Sequence, residues 1–104
     1  MIDRETAYQL ALSTLPPPDY DMRERGDSLV IIESSTIEKD YGWIFFYNSR
    51  KYLETKNDRY LLYGGGPIVV EKVDGSIHQL GSAGGGQYQI ELYEARRNKE
   101  NKAK

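Results

Sequence analysis

Five consecutive apolar side chains, Trp43-Ile44-Phe45-Phe46-Tyr47, constrain this chain more than any other stretch. Successive side chains of a strand point to opposite faces, so a strand built from these residues has no face suited to water. It must lie centrally in a sheet or carry a helix over its outer face. Trp43, Phe45 and Tyr47 share one face and are expected to fill the core. Upstream, Leu29-Val30-Ile31-Ile32 is rich in β-branched residues and starts a first strand, which is expected to continue through Glu33 to Ile37. Residues 38–42 then read as a hairpin connection. Downstream, Pro67 suits the first position of a third strand, Ile68 to Val73. Asp74-Gly75 is a strong hairpin signal, and Ser76 to Leu80 forms the fourth strand.

Helical signals flank this block. Asp3 can cap a helix in which Ala7, Leu10, Ala11 and Leu15 recur at helical spacing, with Tyr8 and Leu12 beside them. Pro16-Pro17-Pro18 ends it, because proline has no amide hydrogen and restrains the residue before it. Residues 16–27 read as a polar loop. Residues 87–97 read as a second helix, with Tyr88, Leu92 and Ala95 near one stripe and Ile90 and Tyr93 next to it. The fold class expected is α+β: an N-terminal helix packed on a mostly antiparallel sheet of about four strands, with a C-terminal helix. At 104 residues the chain is one domain with a single core, two layers thick at most. Residues 1–95 form that domain, and 96–104 are expected to be a basic, frayed tail.

Most chemistry is excluded by what the chain lacks. Without cysteine there are no disulfides, thiolate metal sites or cysteine nucleophiles, and a reducing cytoplasm suits such a chain. The single histidine, His78, rules out a two-histidine metal site and reads as a surface or packed strand residue. The carboxylates show no spacing that singles out an acid–base pair. Neither a secretory signal nor an apolar run of membrane-spanning length is visible. The chain is therefore read as a non-enzyme with no cofactor or metal, acting in the cytoplasm away from membranes.

Net charge is −2, but residues 1–95 hold 9 Lys and Arg against 15 Asp and Glu, a balance of −6, while residues 96–104 carry +4. An acidic body repels nucleic-acid phosphates and favours basic partners. Gly81 to Gly86 lies between a strand and a helix, an arrangement that can aim backbone amides at an anion. It lacks the third small residue of the dinucleotide fingerprint, and no Gly-Lys-Ser/Thr follows. The compositional oddity is nine tyrosines. Tyr52, Tyr60 and Tyr63 flank a charged excursion, 48–63, in which at most a turn of helix or a short strand is expected. Tyrosine offers contact area with a polar tip and is enriched in interface centres.

Gly42-Trp43, Phe46-Tyr47-Asn48-Ser49, Tyr52-Leu53-Glu54-Thr55, Gly64 to Val70, Asp74-Gly75-Ser76-Ile77 and Leu80-Gly81 together resemble the YrhB-type, or immunity protein 35, family of small bacterial proteins. The likeness covers about residues 3–95 and is specific over 42–81. It implies an α+β protein that binds a cognate toxin of a polymorphic toxin system and neutralises it by occluding the active site. The triple glycines and the basic tail depart from the family pattern. Under this reading the partner is the toxin, met through Arg50, Tyr52, Glu54, Asp58, Arg59, Tyr60 and Tyr63. The protein would be a monomer or homodimer. Two alternatives remain open: a chaperone-like stress protein with an exposed apolar patch, and a small anion- or nucleotide-binding domain using the loop at 81–86.

Overall fold

The computed structural model describes residues 1–62 and 65–102. Its centre is a four-stranded antiparallel sheet in the order β2-β3-β5-β6, built from β2 (Ile37–Lys39), β3 (Gly42–Phe45), β5 (Ile68–Glu71) and β6 (Ile77–Gln79). A helix lies on each face, α1 (Arg4–Ser13) on one and α4 (Gly86–Lys102) on the other. The architecture is α+β, but with three layers where two were expected. The five apolar residues explain why: β3 is central and buried at every position, and both its faces need cover. Trp43 and Phe45 face α1 together with Ile68 and Val70, while Ile44 faces α4 with Val69.

Small residues set the first interface. Ala7 and Ala11, both fully buried, let α1 settle directly on the sheet, and the Tyr8 ring meets Phe45 edge-on at 6.2 Å. Asp3 caps α1, its Oδ1 accepting from the Thr6 amide at 2.8 Å. Trp43 is 4 % exposed, its indole N–H has no partner, and the Lys72 ammonium lies 5.1 Å above its ring. Where β3 crosses β5, a Cβ on Gly42 would run into the Val70 carbonyl oxygen, so glycine alone lets the two strands pair here.

On the opposite face α4 buries Ile90 and Tyr93 and leaves Tyr88 and Leu92 half exposed. The stripe expected through Tyr88, Leu92 and Ala95 is thus the outer one. Positions 90, 93 and 97 follow the helical period equally well and carry the contact. The helix also runs on to Lys102, so residues 96–102, expected in a frayed tail, are helical.

A second unit sits beside this sandwich. β1 (Leu29–Ile31) pairs with β4 (Tyr47–Ser49) in a separate two-stranded sheet. The strand expected to run from 29 to 37 is broken by a 3-10 turn over Glu33–Ser35, which sends its two halves to different sheets. Phe46 makes the matching break on the other side, its carbonyl accepting from the Ile32 amide at 2.8 Å. Within the expected loop at 16–27, α2 (Tyr20–Glu24) forms with Asp19 as its cap. It closes on Gly26 at φ +67°, where the Gly26 amide donates to Arg23 O and the Asp27 amide to Met22 O, the pattern of a Schellman ending. The excursion after Ser49 contains α3 (Arg50–Thr55) and a 3-10 turn over Asp58–Tyr60.

Candidate functional site

The expected contact residues lie on one short module, and a buried carboxylate fixes its position. Asp27 is 5 % exposed. Its carboxylate accepts from the Ser49 hydroxyl, from the backbone amides of Ser28 and Lys51 at 2.8 and 3.0 Å, and from Arg25 Nε at 3.2 Å. Burial alone would raise its pKa. The hydrogen bonds from Ser49, Lys51, Ser28 and Arg25 outweigh that and hold it at about 2. Ser49 is the N-cap of α3, its Oγ accepting from the Tyr52 amide at 3.1 Å. Asn48 secures the far end of the excursion, because its Oδ1 accepts from the amides of both Ser49 and Leu62, at 2.8 and 2.9 Å. Two adjacent side chains on β4 therefore pin both ends of a surface loop that buries little apolar area of its own.

On this frame Arg50 forms an i, i+4 ion pair with Glu54 and donates to the Gly26 carbonyl, so it braces α3 against the end of α2. Tyr60 is half-buried under two cations, with the Arg25 guanidinium 5.1 Å and the Lys51 ammonium 5.8 Å from its ring centroid. Tyr52 carries Lys56 at 5.9 Å. Asp58 and Arg59 are exposed on the 3-10 turn. Six of the seven expected contact residues thus share the module, while Tyr63 lies outside the described residues. Asp27, Arg25 and Lys51, which organise the module, were not among them. The Asp27 contacts span 22 and 24 residues, and no local spacing announces such a pairing.

Charge is divided unevenly. Residues 19–28 and 47–62 together contain six Lys or Arg and six Asp or Glu, so the module is neutral and the acidic excess of residues 1–95 lies on the sandwich.

A second polar cluster joins α4 to the sheet. Glu71, 7 % exposed at the end of β5, accepts from the Tyr93 hydroxyl and from Arg97 Nε and Nη2 at 2.8 and 3.2 Å. Its burial favours the neutral acid, but the Arg97 and Tyr93 bonds and the Arg97 charge prevail and lower its pKa. The same burial, with the hydrogen bond to Glu71, raises that of Tyr93. Arg97 also stacks over Tyr41 at 4.5 Å, and Tyr41 donates to Glu94 at 2.9 Å. His78 pairs with Val69 across the hairpin, faces α4 through that register, and lies 5.4 Å from the Tyr93 ring.

The loop at 81–86 is closed by its own hydrogen bonds. Gly85 N donates to Ser82 O at 3.1 Å and Gln89 Nε2 to Ala83 O at 2.6 Å. Among the described residues, no group of three or more His, Cys, Asp or Glu is placed to hold a metal ion. Nor is any described helix long and apolar enough to cross a membrane.

Comparison with known proteins agrees with this organisation. No solved structure matches. Over 42 residues the chain is 40 % identical to the Escherichia coli (strain K12) protein named uncharacterized protein YrhB; the match covers 40 % of this chain and 45 % of that protein, less than half of each. The model of the immunity protein 35 family matches residues 9–95, which takes in α1, all six strands and the buried residues of α4. The chain belongs to the immunity protein 35 family.

Proposed function

We propose that this protein is a non-enzymatic inhibitor that binds a cognate bacterial toxin in the cytoplasm and covers its active site. The observation that carries the reading is the family match across residues 9–95. The form of the surface supports it. Tyr52 and Tyr60 present ring area beside Arg59 and Asp58 on a module whose backbone is pinned at both ends, so little freedom is left to lose on docking. The acidic charge sits on the sandwich instead, where it would steer a basic toxin before the tyrosines engage.

Co-expression tests this directly. The chain is produced with the toxin domain encoded beside it, and growth and co-purification are measured. Rescue with an equimolar complex is expected. Tyr52→Ala with Tyr60→Ala should weaken that complex by roughly a hundredfold, the scale of an interface hot spot. A complex that forms as tightly with both tyrosines removed would move the contact away from this module.

One observation favours a second reading. Tyr88 and Leu92, one turn apart on the outer face of α4, are 50 % and 45 % exposed. A chaperone-like protein would use such apolar surface to hold unfolded clients. Suppressed aggregation of an unrelated unfolded protein, lost on Leu92→Glu, is its signature.

A further inference from the structure

Between the β5–β6 hairpin and the last turns of α4 lies a cavity of about 370 Å³. Its inner wall carries Glu71 and Tyr93, both 7 % exposed. That buried carboxylate has nothing left to offer a cation. Oε1 already accepts from Tyr93 and Arg97 Nε, and Oε2 from Arg97 Nη2. The uncommitted groups around the cavity are donors. Arg96 lines it, is exposed, and forms no ion pair among the described residues. The Ser76 hydroxyl and the His78 ring line it too, 3.2 Å apart, and the His78 ring is held near Tyr93.

We propose that this cavity is a second binding site, which receives a single carboxylate, the side chain of an Asp or Glu on a partner protein. Arg96 grips it through the planar guanidinium fork, which matches a carboxylate in two parallel hydrogen bonds. Ser76 and His78 supply the remaining donors. Asp74 and Glu100 on the rim set the limit on charge. Asp74 is partly occupied, its Oδ1 accepting from the Ser76 amide at 2.9 Å, but two rim carboxylates repel a dianion more than a monoanion. The site therefore selects a carboxylate over a phosphate. It lies on the sandwich and is separate from the α3 module, so it stands or falls independently of the toxin-binding reading.

The test uses the full chain and small probes, with no toxin. Blocked aspartate (N-acetyl, N-methylamide) is titrated at constant ionic strength and followed by amide and Arg Nε–H NMR signals. Blocked asparagine and inorganic phosphate serve as comparisons. Saturable shifts are expected at Ser76, His78 and Arg96 with aspartate, and much weaker ones with asparagine. Arg96→Ala should weaken aspartate binding by roughly tenfold and Ser76→Ala by less, while Arg59→Ala on the distant module should change nothing. Equal response to asparagine, tighter binding of phosphate, or full retention of binding in Arg96→Ala would overturn the assignment.

Discussion

The sandwich and the α2–α3 module are held together by different physics. In the sandwich, Ile44, Val69, Val70 and Ile68 are at most 1 % exposed, and stability comes from apolar area removed from water on both faces of one sheet. The module buries Met22 and Ile31 but gathers its loops around Asp27 and Ser49. Apolar packing tolerates shifts in detail, whereas a carboxylate with four donors dictates where each donor sits. The difference teaches how a small protein can keep a polar, tyrosine-bearing surface in one shape without giving up that surface to a core.

The largest effect expected to separate the two comes from Phe45→Ala. A buried phenylalanine truncated in a close-packed interior costs about 3–5 kcal/mol, so the thermal transition followed by far-ultraviolet circular dichroism should fall for the whole chain. If the module melted alone, the two units would be less coupled than their shared strand breaks imply. Gly42→Ala comes next. The new methyl meets backbone, which cannot swing away as a side chain would, and the cost should be about 3 kcal/mol, the upper range for overpacking. Urea denaturation gives this value.

Asp27 tests the module. Its pKa is depressed from the ordinary 3.8 to about 2, so the folded state prefers the charged form. The stabilisation it brings is complete above pH 3.8 and is lost as pH falls through about 2, and the depression corresponds to about 2 kcal/mol. Stability measured between pH 5 and pH 2 should decline accordingly, and Asp27→Asn should flatten that part of the profile. Hydrogen exchange at the Ser28, Lys51 and Tyr52 amides should quicken in the variant while the β3 and β5 amides stay slow. Equal acceleration in the sheet would erase the contrast between the units. Glu54→Ala should matter least, because its ion pair with Arg50 is exposed and such pairs contribute about 0.3–0.5 kcal/mol.

The sandwich was largely legible in the sequence because its signals are local. Asp74-Gly75 marks the β5–β6 hairpin, Pro16 ends the chain's first helix, and the double-sided apolarity of 43–47 announces a covered central strand. The two breaks were not legible. Phe46 is as apolar as its neighbours, and Thr36-Ile37 carries the β-branched character of a strand that simply continues. What divides them is a sideways step between sheets, a tertiary choice with no turn residue to record it. Stripe assignment on α4 failed for a related reason: two overlapping faces satisfy the helical period, and the winner was decided by Glu71, 26 residues upstream, which draws Arg97 and Tyr93 inward. Of the candidate site, Tyr52, Tyr60 and their charged neighbours could be singled out from composition. The carboxylate that organises them could not, because Asp27 looks like any loop aspartate until Ser49 and Lys51 are brought to it.

The lone tryptophan lies entirely on one side of this divide. Trp43 is sealed against α1, its indole N–H unpaired and a lysine charge above its ring. Its fluorescence is therefore an optical gauge of the sandwich alone: blue-shifted while α1 covers the sheet, and red-shifted once water reaches the indole. Opening of the tyrosine-bearing module would pass without any change in that emission, so a flat signal under mild acid would coexist with a loosened docking surface.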